Sequence, residues 1–148
     1  MMTLKLFIST VLMLGAFTFG FANYANNEEA SVSEIKAVAE QFIEVVDKND
    51  AESLRQLLHP DMIQYTYLGD KLIPFKGADF AQMVGDKKLG GVPRKISHKS
   101  AKIIRDNTAL VVMSAVSSEY DFMYQLSLAK VDDAWVIVGI LVDVNKVG

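Results

Sequence analysis

The sequence predicts an α+β protein: two to three N-terminal helices laid against a strongly curved antiparallel sheet, a cone closed around one pocket. Three observations predict it. A helical apolar period runs through Ile35, Val38, Ala39, Phe42, Val45 and Val46 and breaks at Asn49-Asp50. After His59-Pro60 the period changes from 3.6 to 2. From Arg94 onward the chain reads as strands separated by compact turn signals. Helices first and strands later argue against a parallel sheet built from βαβ units.

Residues 1–22 differ in kind from the rest. Lys5 is the only charge, the run from Leu6 is apolar, and Gly20 and Ala22 are small-residue positions before a cleavage site. A short cationic start, an apolar core and small-x-small read as a secretory signal peptide cleaved after Ala22, so the expected location is periplasmic or secreted. With no Cys in the chain, lipid attachment at that site is excluded and no membrane association is expected after cleavage. The polar stretch 23–30 reads as a flexible leader, and 31–148 as a single domain. The domain lacks disulfides, and a composition that is 51% hydrophobic must hold it by its core alone. The formal net charge of −3, without a long basic stripe, argues against nucleic-acid binding.

Ser31 and Glu34 form a Ser-x-x-Glu capping box ahead of the first helix. Asp50 is placed to cap a second, shorter helix that carries Leu54, Leu57 and Leu58. His59-Pro60 stops it, because a residue before proline is driven out of the helical region. Met62–Leu68 alternates and is rich in β-branched and aromatic residues, Gly69-Asp70 is a turn, and Lys71–Phe75 is a return strand that Pro74 restricts to an edge. A short helix follows near Ala78–Val84. The segment 85–93, GDKKLGGVP, reads as the most flexible part of the domain. Strands are expected near Lys95–Arg105, Thr108–Ser117, Tyr120–Val131 and Ala134–Val144, joined as consecutive hairpins.

The last strands are apolar on both faces. Val136, Val138, Ile140 and Val142 alternate against Trp135, Ile137 and Leu141. One such face can pack on the helices, and the other needs a cover. A homodimer through the exposed sheet face is the simplest one.

The first helix ending in FIEVVDKND, LLHPD at 57–61, the strands leading to Phe75-Lys76-Gly77, and YQLSLAKVDDAWVIVG at 124–139 together resemble the nuclear transport factor 2-like superfamily. Within it the chain is similar to the lumazine-binding and polyketide-cyclase-like (SnoaL-like) group. The resemblance covers residues 33–144. It implies the cone-shaped α+β roll and an exported small-molecule-binding protein. The N-terminal half is similar to ketosteroid isomerase, in which the resemblance implies a tyrosine donor on the first helix and an aspartate base on the first strand. The matching positions here are Phe42 and Thr66, which can perform neither role.

Among the polar residues, Tyr65 and Tyr67 share one face of the first strand, and Gln64 and Thr66 the other. Tyrosine rings suit a cavity that stacks a flat ligand and hydrogen-bonds its edge. His98 falls in phase with Ile96 and can face the cone. Phe42, Tyr65, Tyr67, His98 and Tyr124 are therefore the candidate ligand-binding residues, for a small hydrophobic or heteroaromatic ligand. His98 is the candidate catalytic acid–base if the protein is instead a lyase, isomerase or cyclase. A protein-interaction module using the apolar sheet face is the third possibility. Two distant histidines, no Cys and no phosphate-cradling loop predict no metal and no cofactor.

Overall fold

The computed structural model describes residues 6–148, with side chains from Asn26 onward. The signal peptide expected at 1–22 lies outside the residues whose side chains are described. Val32–Gly148 form one compact unit, which holds the sheet. The first helix, α1 (Leu6–Asp47), does not begin at Ser31. Ser31 and Glu34 lie inside it, since the Ala and Glu residues just before them are good helix formers and nothing there forces a start.

The C-terminus of α1 is closed as the Asn49-Asp50 break requires. Asn49 adopts a left-handed conformation (φ 55°). Its N–H donates to the Val46 carbonyl at 3.1 Å and the Asp50 N–H to the Val45 carbonyl at 2.9 Å. This is a Schellman closure with Asn in place of Gly. Asp50 then starts the next helix, α2 (Ala51–Leu57), its carboxylate accepting from the Ser53 N–H at 3.0 Å. Hydrogen bonding to the charged form, from the Ser53 side chain first and its backbone N–H second, holds the Asp50 carboxyl below its usual range.

Six strands follow: β1 (Leu58–Leu68), β2 (Lys71–Lys76), β3 (Lys95–Arg105), β4 (Thr108–Val116), β5 (Tyr120–Val131) and β6 (Ala134–Lys146). A third helix, α3 (Gly77–Gly85), lies between β2 and β3. The sheet order is β2-β1-β6-β5-β4-β3. The last four strands form the expected antiparallel meander, and Pro74 sits in an edge strand. β1 meets β6 in parallel, joining the hairpin β1–β2 to the meander; these strands lie far apart in sequence, and no turn dictates their direction. Left-handed conformations at both Asp132 and Asp133 make the tight β5–β6 turn.

One sheet face is the core. It carries Ala109, Val111, Met113 and Ala115 from β4, Tyr124, Leu126 and Leu128 from β5, and Met62 from β1, all buried with Ile35, Phe42 and Ile43 of α1. In β6 the expected alternation changes phase. Trp135 and Ile137 are buried, Val138 is exposed, and then Ile140 and Val142 are buried. A bulge opposite Ser127/Leu128 inserts the extra residue, so both halves of the strand bury their apolar residues on the same side.

The segment 85–93 differs most from its expectation. It is tied to the end of α1. The Asn49 side-chain amide donates to the Val84 carbonyl at 2.9 Å and the Leu89 carbonyl at 2.7 Å. The Gly91 N–H donates to the Val46 carbonyl at 3.2 Å. Gly90 and Gly91 both have left-handed φ, 76° and 79°. A Cβ on Gly90 would collide with the Val46 carbonyl oxygen, a backbone atom with nowhere to go. The glycines permit close approach and do not confer looseness. Gly90→Ala is expected to destabilise the domain by well over about 1 kcal/mol, through both φ and collision. An unchanged urea midpoint would show that the segment is not held as described.

Candidate functional site

Between β1–β2, β5–β6 and α3 lies a cavity of about 410 Å³ with a largely apolar wall. Its position follows from strand phase. Met62 is buried, so the period of two turns Gln64, Thr66 and Leu68 of β1 inward, where they line the cavity with Ile73 and Phe75 of β2. Tyr120, Phe122 and Tyr124 of β5 line the opposite side at the same period, and Phe80 of α3 and Leu89 of the tied loop close it. The rings of Phe122 and Tyr124 are near parallel, 6.0 Å between centroids at 16°.

A buried cation stands in this wall. Arg94 precedes β3, and its side chain is only 5% exposed. Its Nε–H donates to Asp47 Oδ1 at 2.6 Å, while its backbone N–H donates to Asp47 Oδ2 at 3.0 Å. Nη1 donates to the Tyr124 hydroxyl at 2.7 Å. The guanidinium carbon sits 4.9 Å from the Phe122 ring centroid, in cation–π range. Asp47, in the last turn of α1, is thus consumed at both oxygens. Nη2 is buried with no hydrogen-bond partner.

Gln64 is the second polar element. It is 5% exposed, and its Nε2 donates to Thr66 Oγ1 at 3.2 Å. Its Oε1 is buried and unpartnered. Burial pushes the Tyr124 phenol above the usual tyrosine range, against the opposing pull of Arg94, so this hydroxyl keeps its proton.

Of the residues expected to bind ligand, Tyr124 lines the cavity and the other four do not. Phe42 is fully buried behind the wall, edge-to-face with Tyr124 at 5.6 Å and 6.2 Å from Phe80. Thr66, at the position of the isomerase base, does face the cavity. Tyr65 and Tyr67 are 42% and 43% exposed on the other face of the sheet, because Met62 and Gln64 claim the inner phase. His98 is on the inner side of β3, but further along under α1, where its Nε2 lies 2.7 Å from Glu40 Oε1. It does not reach the cavity.

Arg94 and Gln64 were not singled out by their sequence context. Two signals pointed to them. Gln64 shares its strand face with Met62, and Asp47 falls four residues after Ile43, at the border of the apolar stripe of α1.

The comparison with known families meets this geometry. The family described as "Putative lumazine-binding" matches residues 30–141. The chain belongs to that family. No protein of curated function matches the sequence. Solved structures similar to this lumazine-binding family member include a NTF-2-like protein of unknown function from Silicibacter pomeroyi, with a TM-score of 0.71 at 13% identity over 79% of this chain and 98% of that one. A NTF2-like protein of unknown function from Shewanella baltica gives 0.69 at 17% identity over 78% and 94%. A cystatin-like fold protein from Burkholderia xenovorans gives 0.65 at 18% identity over 82% and 97%. At these identities the likeness establishes the nuclear transport factor 2-like fold and leaves function to the site.

Removing Asp47 leaves the Arg94 charge buried without a counter-ion. Asp47→Ala is expected to cost about 3–5 kcal/mol in denaturant unfolding, several times a typical surface substitution. A loss below about 1 kcal/mol would mean that the pair does not hold the site.

Proposed function

We propose that the protein is an exported small-molecule-binding protein of the lumazine-binding type, which holds a small hydrophobic or heteroaromatic ligand in the cone and does not transform it. The observation that carries this reading is Arg94: a buried guanidinium fixed by Asp47 and Tyr124 against an aromatic wall, with one nitrogen left unmet. A mostly apolar cavity with a few fixed polar groups is the usual construction of a ligand site. The groups lining it support holding over chemistry. Burial pushes the Tyr124 phenol away from neutrality, so it is no acid–base group there. His98, which a lyase or isomerase reading would need as its base, is engaged with Glu40 away from the cavity. Export rests on the cationic, apolar and small-x-small pattern of residues 1–22.

The reading includes a homodimer. Ile63, Tyr65, Tyr67, Val138 and Leu141 are each between 37% and 43% exposed on the outer sheet face. Tyr65 pairs in register with Leu141, so the patch is continuous across β1 and β6. A second copy covering this face would remove it from water.

The ligand reading is tested by melting the mature protein with a panel of flat heteroaromatics and steroids. A ligand at about a hundred times its Kd should raise Tm by roughly 5–10 °C. No shift with any cavity-sized compound overturns it, and recovery of the protein from the cytoplasm with residues 1–22 intact overturns export. For the dimer, light scattering should give twice the chain mass, and Leu141→Glu should halve it. A wild-type monomer at working concentration would end that part of the reading.

A further inference from the structure

The two edges of the sheet carry their cations differently. On β2, Lys71 pairs with Leu68 and Lys76 with Ile63, so the two fall on opposite faces. Lysines spread in this way keep an open edge from pairing with another chain. On β3, Lys95, Lys102 and Arg105 stand opposite Val116, Leu110 and Thr108 of β4, all on the outer face. We infer that this outer row is a docking site for an acidic polysaccharide, a sugar chain bearing sulfate or carboxylate groups. The row lies outside the cavity, so a failed search for the cavity's ligand leaves it untouched.

Regular alternation would not produce this row. Lys102 falls seven positions after Lys95, and Arg105 three after Lys102. Such odd spacings put successive cations on opposite faces of a regular strand. β3 shifts register between His98 and Ser100, and again between Ile103 and Arg105. Each shift inserts one residue, Lys99 and then Ile104, and restores the phase. Ile96, Ala101 and Ile103 therefore stay packed on the core, while the cations gather on the other face.

Lys95, Lys99, Lys102 and Arg105 are all exposed, and among the described residues none of the four is paired with a carboxylate. The neighbouring strand β4 has no charged residue. Asp106 lies in the turn beyond Arg105, and Asp121 of β5 faces Val116 at the Lys95 end, so acidic groups stand at the ends of the row. In a chain of net charge −3 the row is a local excess of positive charge, roughly 30 Å long. Ser97, Ser100 and Thr108 are exposed among the cations on the same face. Their hydroxyls both donate and accept, which matches the sugar hydroxyls lying between acid groups. Other polyanions fit less well. The two bulges break the backbone ladder that an added strand of acidic peptide would need. The one ring in β3 is His98, turned to Glu40 on the inner side, so the strand offers nucleic-acid bases no stacking surface.

The test is calorimetric titration of the protein at low salt with dextran sulfate, unmodified dextran, polyglutamate and oligothymidylate of similar length. Dextran sulfate should bind, with an affinity that falls steadily as salt is raised, and dextran should not. Polyglutamate and oligothymidylate should bind at least about tenfold more weakly than dextran sulfate. Lys95→Glu/Lys102→Glu should weaken dextran sulfate binding about tenfold or more. Lys71→Glu/Lys76→Glu makes the same change of net charge at the other edge and should leave the affinity within about twofold. All four positions are exposed, so both variants should keep the wild-type circular dichroism spectrum and Tm. Equal losses in the two variants overturn the inference, because net charge alone would then account for binding. So does a wild-type protein that fails to bind dextran sulfate. Equal or tighter binding of polyglutamate or oligothymidylate overturns it in favour of a peptide strand or a nucleic acid. A changed mass in light scattering for Lys95→Glu/Lys102→Glu also overturns it, since the row would then be a contact between two copies of the chain.

Discussion

A carboxylate at the end of one helix organises this domain. Asp47 is the last residue of α1, and both its oxygens are committed to Arg94, one to the side chain and one to the backbone. That double attachment sets where β3 can begin. It also fixes the guanidinium plane, which in turn supports the Phe122 ring and the Tyr124 hydroxyl. The loop before Arg94 has to pass against the same helix end. Asn49, Gly90 and Gly91 make that passage possible, through side-chain hydrogen bonds in one case and the absence of a Cβ in the others. Wall, loop and helix terminus thus share one electrostatic anchor, and the cavity inherits its shape from it.

The same anchor explains how a common scaffold acquires a particular chemistry. Where a similar isomerase would place its working tyrosine and aspartate, this chain has Phe42 and Thr66. Phe42 lies behind the cavity wall, edge-to-face with Tyr124. Thr66 remains at the surface but serves to orient Gln64. The polar groups set into this wall are Gln64 on β1 and Arg94 just ahead of β3, the latter held by Asp47 of α1. Folds of this kind keep their frame and relocate their polar atoms.

Much of the frame was legible in the sequence, and the site was not. Periodicity located the helices and strands because burial imposes it directly: Asp50, Pro74 and the Asp132-Asp133 turn each act through their own local geometry. The site depends on facts that are not local. Which face of β1 turns inward is decided by Met62 packing in the core, and aromatic content alone favoured Tyr65 and Tyr67, which face outward. His98 was in phase with the inner face, yet position along β3, not phase, puts it under α1 beside Glu40. Arg94 gains its role from a residue 47 positions earlier. Two glycines in a lysine-rich loop look the same in sequence whether they loosen a chain or let it pass close to a helix. Only the carbonyl of Val46 distinguishes the two cases.

The bulge in β6 has a consequence for how this sequence can change length. Trp135 and Ile137 reach the core in one alternation, and Ile140 and Val142 in the other, with Val138 as the exposed residue between them. The strand is two half-strands of opposite parity spliced at a single amino acid. Losing that residue would restore a regular ladder and turn one half inside out, taking the cavity residues Val142 and Val144 to the outer surface. An extra residue in the β3–β4 turn would displace only exposed positions. β6, the strand that joins the meander to β1, is therefore the place where the reading frame of side chains is least free to slip.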